Sequence, residues 1–221
     1  MPRAAVQTRT RSRSAGRAFR RRQIIDAAVN SISRVGFADT TLATVAKEAG
    51  ISQASLVFHF GSKQALLEET LRHLSEEYEQ LWRQALARAG PDPVSRICVL
   101  VASDFNPKVC SRKKIAAWQA FWGEVKARPT YLRICGNRDD ERLAALAEIC
   151  RSLPATDRDD AIDGDTLALF IDGLSDGLWQ RVLVGSRPFN RQQALELAFR
   201  HLKVLIPEHR EPIGIFETNH S

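Results

Sequence analysis

Residues 40–67 run TTLATVAKEAGISQASLVFHFGSKQALL, two short helical patterns joined by a tight turn and followed by a third. Leu42, Val45, Ala46 and Ala49 recur at helical intervals on one face, and Thr41 stands just before them, where its hydroxyl can cap free backbone donors. Gly50 stops this helix, because glycine accepts the left-handed conformation of a helix C-terminus, and Ile51 supplies the apolar contact that folds the turn back. Ser52 then caps a second helix in which Leu56 and Phe60 face the core. At its start Gln53, Ala54 and Ser55 carry small or amide side chains able to approach base edges in a major groove. This is helix-turn-helix grammar; an ordinary helical hairpin is the plain alternative.

Charge is distributed to match. Residues 1–63 hold 11 Lys and Arg against 3 Asp and Glu, while the remainder is slightly acidic. A polyanionic partner accounts for such asymmetry, since each neutralised phosphate releases counterions. Lys63, opening the third helix, is expected at a phosphate, and Thr41 and Ser52 add helix N-terminal donors. Residues 1–18 are rich in Arg, Ser and Thr and carry no acidic group. They read as a disordered basic arm, with Arg9, Arg11, Arg13 and Arg17 as contacts in an adjacent minor groove. A solvated tail and an Arg-rich transit peptide are the competing readings of that arm.

Residues 20–67 resemble the N-terminal domain of the TetR family of bacterial repressors. The likeness rests on RRQIIDAAVNSISRVGF, on TLATVAKEAGIS and on FGSKQAL. Where that family usually has Tyr-His-Tyr-Phe, this chain has Val57, Phe58, His59 and Phe60. The resemblance therefore implies the loss of one phosphate-contacting aromatic at Val57. His59 is left either as a phosphate donor or as a half-exposed histidine without a contact.

The rest of the chain has the size and apolar content for a larger helical domain. Residues 63–89 form one long amphipathic pattern, with Leu67, Leu71, Leu74, Tyr78, Leu81, Trp82 and Leu86 in register, ended by Pro91 and Pro93. Further helices are expected over 94–105, 111–126, 129–152, 158–184 and 190–206, with breaks at Pro107, Pro129, Pro154 and Pro188. The expected class is all-α: a disordered arm at 1–18, a three-helix DNA-binding domain with its helix-turn-helix at 19–66, a ligand-binding and dimerisation domain at 67–207, and a tail at 208–221. Cys98, Cys110, Cys135 and Cys150 lack metal-ligand or disulfide-framework spacing and read as core cysteines of a cytoplasmic protein. No apolar run is long enough to span a membrane.

Two apolar faces lie near the C-terminus. One carries Leu167, Phe170, Ile171, Leu174, Leu178 and Val182; the other carries Leu195, Phe199, Leu202 and Ile206. In the TetR family the equivalent helices form a four-helix bundle with a second copy. The resemblance therefore implies a homodimer that reads a palindromic operator on double-stranded DNA. Use of both faces inside one monomer is the alternative.

SRKKIAAWQAFWGEVKARPTYLRICGNRDDERL and IDGLSDGLWQRVLVGSRPFN resemble the C-terminal domain of the choline-responsive repressors of glycine betaine synthesis, a TetR subgroup. From the residues themselves, Trp118 and Trp122 are four apart on one helix face. Phe121, Tyr131 and Trp179 could complete an aromatic enclosure for a quaternary ammonium ion, with Asp172 or Asp176 as countercharge. Aromatic residues at helical spacing also serve plain core packing, so cage and core both stand. Neither a cofactor nor a metal site is expected, and no phosphate loop, nucleophile elbow or zinc motif supports an enzyme. The acidic residues Asp157, Asp159, Asp160, Asp163 and Asp165 read as a helix cap. The two functions left are a ligand-responsive repressor with a small-molecule effector and an architectural DNA-binding protein with low sequence preference and no ligand.

Overall fold

Two hydrophobic cores share two long helices. The computed structural model describes residues 3–124, 129–154, 162–184 and 189–220, and no strand occurs among them. Helix α1 (Arg3–Asp39), α2 (Leu42–Ala49) and α3 (Gln53–Phe60) enclose the smaller core with Ile24, Ala28, Val45, Ala49, Leu56 and Phe60. Helix α4 (Lys63–Arg88) joins the two, because Leu66 enters the small core while Leu67, Leu71 and Leu74 enter the large one.

The local chemistry of the reading unit matches the grammar of its residues. The Thr41 hydroxyl accepts from Thr44 N at 3.1 Å, and Thr44 Oγ1 accepts from Thr41 N at 2.8 Å, a reciprocal cap that satisfies two otherwise orphaned donors. Gly50 closes α2 at φ 65°, after which Ile51 N donates back to Ala46 O at 3.0 Å. Ser52 Oγ accepts from Ser55 N at 3.1 Å and starts α3.

Helix α1 breaks near its end. Gly36 takes φ 82° and ψ 174°, outside helical space, and its carbonyl accepts from Thr40 Oγ1 at 2.7 Å. Glycine is required there because a Cβ would strain that φ. Lys63 Nζ donates to Ala38 O at 2.9 Å and Phe37 O at 3.3 Å, tying the start of α4 to the end of α1.

The larger domain is built around α5 (Pro93–Asp104), whose Ile97, Cys98, Leu100 and Val101 are buried and which contacts α4, α7, α8, α9 and α10. Around it lie α6 (Arg112–Glu124), a π-helical turn (Leu132–Gly136), α7 (Asn137–Arg151), α8 (Gly164–Val184) and α9 (Arg191–Leu205). A 3-10 turn (Pro207–His209) then leads into α10 (Arg210–His220). All four cysteines are free and buried, and burial pushes each thiol up to about 12, so none is ionised at neutral pH. No helix among the described residues is long and apolar enough to cross a membrane.

The backbone from Arg3 runs as helix into α1. The C-terminal segment folds as α10. Ile213 of α10 is fully buried and Phe216 meets Phe199 edge-on at 5.8 Å, so it covers apolar surface of α9. Two expectations need correction. The segment 129–152 is interrupted by the π-helical turn rather than being one helix. The apolar faces of α8 and α9 are mostly spent within the chain: Leu167, Ile171, Leu178, Val182, Leu195, Phe199, Leu202 and Ile206 are buried in the large core, and of that group only Phe170 is exposed. The expected helix start near 158, Pro188, and Asp157, Asp159 and Asp160 lie outside the described residues. Asp163 does cap α8, accepting from Thr166 N at 3.0 Å.

Candidate functional site

A cavity of about 280 Å³ opens between α4, α6, α7 and α8. Trp118 and Trp122, one turn apart on α6, form one wall with ring centres 6.3 Å apart, and Tyr131 stands edge-on to Trp118 at 6.5 Å. Across from them Trp179 of α8 and Tyr78 of α4 lie 6.0 Å apart. Asp172, Ser175, Asp176 and Trp179 reach the same space because intervals of three and four place them on one face of α8.

The polar groups form two sets. In the first, Asp104 sits 1% exposed at the end of α5 and is saturated. It accepts from Tyr78 Oη at 2.6 Å, from Ser175 Oγ at 2.7 Å and from Arg142 Nη2, which lies 2.7 Å from both carboxyl oxygens. Its backbone carbonyl takes the Trp179 indole N–H at 2.9 Å. Arg142, 5% exposed, also donates to Asp172 at 2.5 Å. These contacts fix Tyr78 and Trp179 and neutralise one carboxylate.

The second set is not neutralised. Trp122 donates through its indole to Tyr131 Oη at 2.8 Å, and Tyr131 donates to Asp139 at 3.0 Å. Burial, opposed by the Tyr131 hydrogen bond, raises the Asp139 carboxyl to about 6. Asp176 stands at the rim, open to solvent on one side, and no ion pair reaches it among the described residues. Desolvation of its inner side, with Asp172 and Asp104 nearby, raises its carboxyl to about 7. Burial also raises Asp172, although Arg142 pulls the other way. Four carboxyls thus face one guanidinium inside an aromatic enclosure, an arrangement suited to a cation.

Six of the seven residues expected at a ligand line this cavity: Trp118, Trp122, Tyr131, Asp172, Asp176 and Trp179. Phe121 does not. It sits about 100° round α6 from Trp122 and packs edge-on against Phe37 of α1 at 5.4 Å. Tyr78, Asp104, Asp139, Arg142 and Ser175 complete the lining.

At the other end, Gln53 and Ala54 are exposed at the start of α3 and Ser55 is half-buried beside them. Thr41 and Ser52 are exposed caps, while His59 is half-buried with its ring 5.6 Å from that of Phe58. The Lys63 ammonium spends two donors on α1 carbonyls. Arg17 is exposed on α1; the Arg9, Arg11 and Arg13 side chains lie outside the described residues.

Comparison with known proteins decides what this pairing of reading unit and cavity belongs to. Residues 24–70 match the bacterial regulatory proteins of the tetR family, and residues 93–207 match the BetI-type transcriptional repressor C-terminal domain. The chain belongs to the tetR family, in its BetI-type branch. It is 34% identical over 192 residues to the HTH-type transcriptional regulator BetI of Burkholderia thailandensis, spanning 86% of this chain and 95% of that protein. A transcriptional regulator of Saccharomonospora viridis, solved in complex with choline, superposes with a TM-score of 0.70 at 26% identity, covering 85% of this chain and 95% of that one. A regulator of Pseudomonas aeruginosa shares the fold with a TM-score of 0.68 at 22% identity, over 87% and 93% of the two chains. This tetR-family protein is a transcriptional regulator and not an enzyme, and the architectural alternative is not favoured.

Proposed function

We infer that the chain is a cytoplasmic, homodimeric repressor that binds a palindromic operator and answers to choline or a closely related quaternary ammonium ion. The observation that carries this reading is the excess of carboxyls over cations within the aromatic cavity. A trimethylammonium group meets the faces of Trp118, Trp122, Tyr131 and Trp179 by cation–π attraction and needs no hydrogen-bond acceptor, while Asp139, Asp172 and Asp176 supply the countercharge. The choline-bound relative supports the same ligand class.

Operator release follows if the cation binds the DNA-incompetent arrangement more tightly than the competent one. Tyr78 places the cavity in direct contact with α4, whose first turn is fixed to α1 by Lys63. Thr41, Ser52, Gln53, Ala54, Ser55, His59 and Lys63, with Arg13 and Arg17 on α1, are assigned to DNA.

Three of the four tryptophans line the cavity, so intrinsic fluorescence reports occupancy directly. Choline should change that fluorescence saturably and weaken binding to a selected operator. Its uncharged isostere 3,3-dimethylbutanol should bind about 10-fold or more weakly, the scale of a desolvated cation–π contact. Equal affinity for the neutral isostere would remove the cation reading while leaving the repressor intact.

A further inference from the structure

Helix α3 presents a second pattern beside its polar start. Its buried face is Leu56 and Phe60, and on the opposite side Ala54, Val57 and Phe58 are exposed at intervals of three and four. Phe58 is 77% exposed, and its ring touches only the edge of His59 among the aromatic contacts of the described residues. A large apolar side chain left in water on a helix of eight residues contributes nothing to the core, and the small core is already closed beneath it by Leu56. The helix also lacks Lys and Arg, the bidentate readers of guanine, and Asp and Glu, the acceptors for the cytosine amino group.

Resting on the assignment of α3 as the reading helix, we propose that Ala54, Val57 and Phe58 form an apolar ridge that reads thymine 5-methyl groups, and that each operator half-site is A·T-rich where the ridge lies. The major-groove edge of thymine is the one base edge with an exposed methyl, and it is read by apolar contact rather than by hydrogen bonds. Gln53 at the start of the same helix has the amide geometry for adenine N6 and N7, so both readers favour A·T pairs. Phe58 cannot donate to a phosphate, which leaves base edge or sugar as its partner in the groove.

The test selects an operator from random duplexes with the full-length protein, then replaces its thymines singly with deoxyuridine, which removes the methyl and keeps the pairing. Wild type should lose about fourfold in affinity for each methyl that the ridge covers. Phe58→Ala should bind the thymine operator more weakly yet lose nothing further on uracil replacement at the Phe58 position. Phe58→Leu, which keeps an apolar tip, should retain methyl dependence. Unchanged thermal unfolding of both variants, expected at so exposed a site, confirms that folding is not the cause. An operator indifferent to every uracil replacement, a G·C-only contacted half-site, or equal uracil sensitivity in Phe58→Ala would each overturn the ridge while leaving the repressor standing. Failure to enrich any duplex would overturn the repressor reading and the ridge together.

Discussion

Single residues carry the electrostatics of the cavity, and Asp176 is the most informative. Its carboxyl stands at about 7 and that of Asp139 at about 6, both raised first by burial. A bound cation favours the ionised forms, so cation affinity should rise as pH increases through 6 to 7 and protons should be released on binding. Titration of choline by tryptophan fluorescence between pH 5.5 and 8 checks this; a flat profile would contradict it. For the empty protein the sign reverses. A carboxyl raised on folding contributes stability below its unfolded value and loses it as pH rises through 7, so Asp176→Asn should raise the Tm of ligand-free protein at pH 8. The same change should weaken choline binding by about threefold, the scale of a solvent-screened contact. Arg142 differs in kind, because it is buried against Asp104 and Asp172. Arg142→Met should cost about 3–5 kcal/mol in chemical denaturation by stranding Asp104, and adding Asp104→Asn should recover part of that loss. Neither residue stood out in the aromatic reading of the sequence, since Asp104, Arg142 and Tyr78 meet only through packing across 26 to 38 residues. A signal existed nonetheless. Arg142 shares a helix face with buried Leu146 and Ile149, and Asp104 shares one with Ile97 and Leu100. A charge in an apolar register implies a buried partner.

Helices were legible where their caps and periods agreed. Thr41, Gly50 and Ser52 determine α2 and α3 through contacts within five residues, and local chemistry of that kind can be read from a chain. Side-chain direction on α6 was less legible, because Trp118, Phe121 and Trp122 all look alike as aromatics at helical spacing. Their division follows from what flanks the helix: the cavity on one side, α1 on the other. That division makes α6 a bridge. Phe121 meets Phe37 one residue beyond the Gly36 break, and the neighbouring carbonyls of Phe37 and Ala38 hold Lys63. Movement of the tryptophan face therefore reaches the joint between α1, α2 and α4. Phe121→Leu should leave choline affinity and operator affinity each within about threefold, yet reduce the factor by which choline weakens operator binding, a coupling of about 1–3 kcal/mol in such systems. Operator titrations with and without saturating choline measure that factor. An unchanged ratio would show that α6 does not transmit through this contact.

At the scale of the molecule, the residues first assigned to the dimer seam turned out to fill the chain's own core, because periodicity marks an apolar face without saying what covers it. What remains outside is a narrower strip. Leu169 and Phe170 of α8 are 58% and 52% exposed, and Gly173 and Gly177 continue the strip at intervals of three to eight with open space where a Cβ would stand. Val204 adds an exposed apolar group on α9. A flat, small-residue strip flanked by large apolar side chains lets two copies of α8 approach closely about a two-fold axis. Leu169→Lys with Phe170→Lys puts four like charges into such a seam while touching nothing in the monomer core. The double variant should stay helical by circular dichroism, sediment as a monomer at micromolar concentration, and bind the palindromic operator about 100-fold or more weakly, because the second recognition helix no longer arrives on the same particle. Choline should still change its tryptophan fluorescence, since the cavity is built within one chain. A double variant that remains dimeric would place the seam elsewhere on the surface. A monomer that binds the operator undiminished would mean that one copy of α3 suffices, and the symmetry of the site would then have no role in recognition.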